Sequence, residues 1–218
     1  LCDNTSGRRN VALGNKVLPK NTTGIYNVAI GYNILPNNTS GNENIALGRS
    51  ALVCNTGGNG NIALGRSALY RNTTGCCNIA LSYGTLFYNT TGNFNVALVN
   101  GALGANTTGC NNIAIGYGAL ACNTTSLHNM SLGRFALRFN TTGCNNIALG
   151  QNAICANTTG NYNIALGAST VSGNFSNSVI LGKGATAGAN NEFVVGSSGT
   201  ALGTVTTESC SSTKTWQI

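Results

Sequence analysis

Charge is scarce in this chain. Of 218 residues only four are acidic and charged residues of both signs make up 7%, with a single His, a single Trp and two prolines. The acids Asp3, Glu43, Glu192 and Glu208 are spread too widely for a carboxylate pair, and His128 alone cannot complete a Ser/His/Asp arrangement. No Asp-rich loop offers calcium a cage, no Gly-rich strand-to-helix junction offers phosphate a cradle, and the nine cysteines lack the paired Cys-x-x-Cys spacing of zinc sites. Catalysis, a metal and a cofactor are therefore not expected. The net charge of +7 comes from basic residues too sparse for a phosphate track, which excludes nucleic acid as a partner. No apolar run is long enough to span a bilayer, so membrane insertion is not expected either. Without an initiator Met or a signal peptide, Leu1 reads as a processed or trimmed start.

What the chain has instead is a period. Asparagine returns every 17 positions, at Asn4, Asn21, Asn38, Asn55, Asn72, Asn89, Asn106, Asn123, Asn140, Asn157 and Asn174. A repeat this regular implies a solenoid, in which each unit buries its apolar surface only by stacking on the next. Numbered from that Asn, the consensus is Asn-Thr-Thr-Gly, two variable residues, Asn-Ile-Ala-Leu-Gly, two variable residues, Ala-Leu and two more. Columns 8 and 10 are aliphatic throughout, from Val11 and Leu13 to Ile164 and Leu166, and their separation of two is strand periodicity. A third apolar column at position 15, from Leu18 to Val171, suggests a second short strand. The Gly of column 4 is expected to supply a positive φ at the turn. A second Gly column follows the strand, broken only at Ser82 and Val99.

The expected fold is all-β: a parallel β-solenoid of the left-handed β-roll kind, about 12 coils, mostly of 17 residues with two short strands each. Columns 8 and 10 would fill the interior. The Asn of column 7 (Asn27, Asn44, Asn61 and equivalents) would stack amide on amide. Column 9, Ala in nine of ten repeats, would face outward as a flat small-residue stripe suited to a neighbouring subunit. The regular repeats run over residues 1–172 and shorter coils over 173–203, where the strand-ending glycines Gly167, Gly182 and Gly196 are 15 and 14 apart. Residues 204–218 leave the repeat as a strand that either caps the roll or joins the next subunit.

The tracts Asn177-Ser178-Val179-Ile180-Leu181-Gly182 and Asn191-Glu192-Phe193-Val194-Val195-Gly196 resemble the head repeats of trimeric autotransporter adhesins, the YadA-like heads. The longer Asn-Ile-Ala-Leu-Gly form with its Asn-Thr-Thr-Gly turn is similar to repeats of phage tail fibres and other surface fibres. The resemblance spans about residues 4–200. It implies a β-roll, often trimeric, on an extracellular fibre. The chain departs from the adhesins in its 17-residue coils and in having neither a heptad stalk nor a membrane-anchoring barrel.

Three sets of residues are candidates for function. Asn4, Asn21, Asn38, Asn72, Asn89, Asn106, Asn123, Asn140, Asn157 and Asn174 satisfy Asn-x-Ser/Thr and could carry covalent N-glycans along one edge; turn chemistry is the alternative explanation. Cys54 with Cys76, and Cys122 with Cys144, share a spacing of 22 and are disulfide candidates, while Cys2 and Cys210 could link successive subunits; Cys77, Cys110 and Cys155 have no assigned partner. Column 12 gathers Tyr32, Arg49, Arg66, Tyr83, Tyr117 and Arg134 in a candidate ligand column for host-surface glycans or another polyanion. The expectation is a non-enzymatic structural fibre, extracellular or on a cell or virion surface, whose partners are copies of itself in a head-to-tail polymer or a homotrimer. An adhesin head or a phage or viral tail-fibre segment that binds host-surface glycans or proteins is the alternative.

Overall fold

The computed structural model describes residues 1–197 and 200–206. Thirteen strands lie in one sheet in chain order. They are β1 (Val11–Asn15), β2 (Val28–Tyr32), β3 (Ile45–Arg49), β4 (Ile62–Leu64), β5 (Ile79–Ala80), β6 (Val96–Ala97), β7 (Ile113–Ile115), β8 (Met130–Leu132), β9 (Ile147–Leu149), β10 (Ile164–Leu166), β11 (Val179–Leu181), β12 (Glu192–Ser197) and β13 (Thr200–Thr206). From β1 to β12 every pairing is parallel, and up to β10 each residue faces its equivalent one repeat later, as Val28 faces Ile45 and Ile30 faces Leu47. The chain is thus an all-β parallel solenoid of about 11 turns, and no helix forms among the described residues.

Each regular coil has one strand rather than two. The column-15 segment is a turn, because Leu35, Leu52, Leu69 and their equivalents sit in the left-handed region with φ between 47° and 51°. Rung-to-rung bonding continues through it nonetheless: Leu52 N donates to Ala68 O at 3.1 Å. Three further corners have positive φ, at column 6, at the Gly of column 11 and at column 13, shown in one coil by Tyr26 (59°), Gly31 (136°) and Asn33 (54°). A left-handed side-chain-bearing residue costs about 1–2 kcal/mol, so these corners persist only because the neighbouring coils fix them. Column 15 holds two β-branched residues, Val171, whose φ is not positive, and Ile154, which stays left-handed at a tighter 36°. Ile154→Leu should therefore raise the melting temperature, by about 0.5–1 kcal/mol of relieved strain, and a fall in thermal scanning would show that Ile154 packing outweighs its backbone.

The interior is the reverse of the expected one. Column 9 points inward: Ala29, Ala46, Ala63, Ala80, Ala97, Ala114, Ala148 and Ala165 are fully buried. None of the side chains of columns 8 and 10 is buried. Four tight corners in 17 residues leave a cavity too narrow for two rows of Ile and Leu, so small residues go inside and large ones outside. The core consists of the column-9 alanines, the small residues of column 14 such as Ala51 and Ala68, and the leucines of column 15.

Two buried asparagine ladders complete the interior. In column 7, Asn44 N and Nδ2 both donate to Asn27 Oδ1, at 3.0 and 3.1 Å, and Nδ2 also donates to Gly58 O at 2.8 Å. In column 1, Asn55 Nδ2 donates to Asn38 Oδ1 at 2.9 Å and to the same Gly58 O at 3.1 Å. The two ladders therefore meet on the carbonyl of the column-4 glycine. That glycine does not have the expected positive φ; what requires it is space, since a Cβ on Gly58 would lie 2.5 Å from Gly75 O and 2.8 Å from Asn72 Nδ2. Ser126 is the one substitution in this column, and its hydroxyl is taken into the ladder, donating to Asn123 Oδ1 and accepting from Asn129 Nδ2 at 2.9 Å.

The ladders stop where the coil shortens. Ile164 pairs with Val179 and Val179 with Phe193, offsets of 15 and 14 residues. Asn174 leaves column 1, and its Oδ1 accepts from Thr158 N (2.8 Å) and Thr158 Oγ1 (2.7 Å), where other coils use a threonine carbonyl. Asn157 Oδ1 is left buried without a donor. Beyond β12 the ladder reverses, because β13 is antiparallel to it. The closing strand thus begins at Thr200 and covers the edge of the parallel stack; residues 207–218, with the rest of the expected tail, lie outside the described residues.

Candidate functional site: the outer sheet face, its rim and the turn edge

The glycan candidates are mostly inside. Asn21, Asn38, Asn72, Asn89, Asn106, Asn123, Asn140 and Asn157 are fully buried in the column-1 ladder. An N-linked sugar replaces an Nδ2 hydrogen and must lead out to solvent. At Asn72 both hydrogens are occupied, by Asn55 Oδ1 at 2.8 Å and Gly75 O at 2.9 Å, so a ladder of glycans on this column is incompatible with the fold. Only the end members Asn4 and Asn174 are exposed. The column-2 threonines are bonded in the same way: Thr90 Oγ1 donates to Thr107 O at 3.0 Å, a carbonyl that also accepts from the backbone N–H groups of Thr90, Thr91 and Gly92. The Asn-Thr-Thr-Gly turn is thus accounted for by cross-coil hydrogen bonding.

The disulfide pairings also fail. Cys54, Cys76, Cys122 and Cys144 are all free thiols, as are Cys2, Cys77, Cys110 and Cys155. One rung and the whole Asn-Thr-Thr-Gly turn separate each expected pair. In column 5 the thiol replaces an asparagine side chain. Cys76 Sγ accepts from Asn59 N at 3.4 Å and donates to Thr74 O at 3.2 Å, just as Asn59 Oδ1 accepts from Asn42 N at 2.8 Å. Cys110 and Cys144 repeat the arrangement. Cys210 lies outside the described residues.

Two surfaces remain as interaction faces. The first is the outer side of the sheet, where columns 8 and 10 form a continuous band of Val, Ile, Leu and Met over ten coils, with Leu132 at 36% and Leu166 at 40% exposure. Sequence reasoning placed this band in the core; the signal for its true position was the near-uniform Ala between the two columns.

The second surface is the rim at column 12, which is exposed as expected. Arg49 lies over the Tyr32 ring (5.9 Å to its centroid) and Arg66 over Tyr83 (5.6 Å). Further along, Phe135 is flanked by Arg134 at 4.7 Å and Arg138 at 4.5 Å, with Tyr117 edge-on at 5.3 Å. Columns 16 and 17 add Tyr70 stacked on Phe87 at 5.0 Å, Arg71 over Tyr88 at 5.0 Å, and Arg138 over Phe139 at 5.0 Å. His128 is exposed at column 6. No cluster of His, Cys, Asp or Glu that could hold a metal occurs among the described residues. A scan against protein-family models, a search of curated proteins and a search of solved structures each find no match.

Proposed function

We propose that the chain is a non-enzymatic structural rod of an extracellular fibre, and that its partner is a second copy of itself seated on the outer sheet face. The observation that carries this reading is the apolar band of columns 8 and 10. Half-exposed over ten coils, it amounts to on the order of 1,000 Å², more than the few hundred Å² that a soluble monomer leaves contiguous and comparable to the ~800 Å² per partner of a stable interface. Its side chains stand in straight rows at rung spacing, a flat and self-complementary surface. Tyr and Arg along column 12 give it the aromatic and guanidinium rim common at protein interfaces. The association is lateral, since β13 turns the C-terminal edge away from the parallel ladder that head-to-tail stacking would extend. This lateral contact takes over the role that the Ala stripe held in the sequence reading.

The test is sedimentation velocity of the full chain beside Leu132→Glu/Leu166→Glu. Both side chains are on the outside, so the double variant should keep its β-sheet circular dichroism and melting temperature while its oligomer dissociates to monomer. A wild-type chain that is monomeric at tens of micromolar, or a double variant that stays oligomeric, would overturn the proposal.

A further inference from the structure

Four consecutive rungs of column 12 read Tyr32, Arg49, Arg66, Tyr83. The backbone places Tyr32 directly against Arg49 in the β2–β3 register. Arg49 and Arg66 are neighbours one rung apart, ~4.8 Å along the stack, and both are exposed. Two like charges at that separation repel, and here they splay: each guanidinium lies over the tyrosine on its far side. None of the four acids of the chain falls in column 12 or in the columns beside it. The pair is therefore held by aromatic faces rather than by carboxylates. Stacking fixes the plane of a guanidinium while leaving its N–H edge free to bond a planar or tetrahedral anion in bidentate fashion.

Such stacks are unusually dense here. Seven Arg-over-aromatic contacts occur among the described residues, where about one per 70–80 residues is ordinary. The second group, Arg134 and Arg138 on Phe135, is centred four rungs beyond Arg66, ~19 Å along the rod. From Arg66 to Arg134 the column passes through Tyr83, Asn100 and Tyr117, the two tyrosines 52% and 50% exposed. A single small anion would use one group. A linear polymer lying along the rod would use both and gain from their effective concentration.

We infer that the Tyr32-Arg49-Arg66-Tyr83 quartet, continued by Arg134, Phe135 and Arg138, is a binding track for a linear polysaccharide bearing sulfate or carboxylate groups. The arginines bond the anionic groups and the exposed tyrosines take the apolar faces of the sugar rings. This goes beyond self-association, because it assigns an external ligand to the rim, whereas the self-contact is carried by the apolar band of columns 8 and 10.

The experiment measures binding of the full chain to dextran sulfate, alginate and neutral dextran by calorimetry at low salt. Arg49→Gln/Arg66→Gln is compared with Arg8→Gln/Lys20→Gln, which removes the same charge from exposed residues outside column 12. Column 12 already accommodates Asn100 and Gln151, so the first variant keeps the fold. The expected result is binding of one or both anionic polymers and not of dextran, weakened at least tenfold by Arg49→Gln/Arg66→Gln and less than twofold by the control. Preference between dextran sulfate and alginate distinguishes sulfate from carboxylate as the recognised group. Absence of binding to both, or equal weakening by the two variants, would overturn the proposal, the latter by showing attraction to net charge alone.

Discussion

Replacing Asn89 by alanine should destabilise the solenoid by about 3–5 kcal/mol, although its side chain bonds only to uncharged amide groups. Asn89 is fully buried at the middle of the column-1 ladder. Its Nδ2 donates to Asn72 Oδ1 at 2.8 Å and Gly92 O at 3.0 Å, and its Oδ1 accepts from Asn106 Nδ2 at 2.7 Å. Gly92 O keeps a donor in Asn78 Nδ2 at 2.8 Å, but Asn72 Oδ1 loses its only one and one N–H of Asn106 is stranded. Each buried unpaired group costs about 1–3 kcal/mol, and the void left by the amide adds to that. The end of the ladder supplies an internal control. Asn157 Oδ1 already lacks a donor, so Asn157→Ala orphans only Asn140 Oδ1 and should cost visibly less. Urea unfolding of the two variants side by side tests this, and equal losses, or a loss below about 1 kcal/mol at Asn89, would show that the ladder contributes little.

The same ladder shows what the sequence could and could not disclose. The period of 17, the strand at columns 8 to 10, the stacked Asn of column 7 and the shortening after Gly167 were legible, because each depends on a residue recurring at fixed spacing. The direction in which each column faces was not. Alternation separates two faces without saying which is inside, and the usual preference for burying Ile and Leu points the wrong way when the interior is only wide enough for Ala46 or Ala63. Nor do the corners leave a compositional mark. Column 6 has φ near 58° whether it carries Tyr26, Glu43, Cys77, Phe94 or His128, since the conformation is imposed by bonds such as Tyr26 N to Arg8 O rather than by residue preference. The column-1 asparagines matched a glycosylation motif for a reason unrelated to sugar: Thr in the third place is an exposed turn residue beside an amide that the ladder buries.

The inverted faces also explain the small share of charge. A solenoid that buries alanine and asparagine has little apolar area to hide within each coil, and its larger aliphatic side chains stay on the outer surface. The sparse charges then concentrate where they do not interrupt that surface, at the rim and the turn corners, as Arg49, Arg66, Arg71 and Arg134 do.

Gly31→Ala should be at least as damaging as the loss of Asn89, at about 3 kcal/mol or more, and for two reasons that can be separated. Gly31 has φ 136°, outside what a side-chain-bearing residue readily adopts, and a Cβ there would fall on the carbonyl of Gly48 in the next coil. Gly101 provides the comparison. Its φ is 70° and a Cβ would meet nothing within 4 Å, so Gly101→Ala should cost only the left-handed penalty, about 1 kcal/mol. The chain itself contains one way out of the clash. At Ser82 and Val99, the two non-glycine residues of column 11, φ is not positive, β5 and β6 shrink to two residues, and neither backbone N–H donates to the column-10 carbonyl of the preceding coil as Gly65 N does to Leu47 O at 3.0 Å. These two exceptions are adjacent, which indicates that the altered strand end is best accommodated beside another of its kind. Gly31→Ala alone would have regular coils on both sides, whereas Gly48→Ala beside it would not. The double variant should consequently lose less stability than the sum of the two single ones. Urea midpoints of the three variants and of Gly101→Ala measure both effects. Parity of Gly31→Ala with Gly101→Ala would show that the clash relaxes freely, and strict additivity in the double variant would show that neighbouring coils do not share the altered strand end.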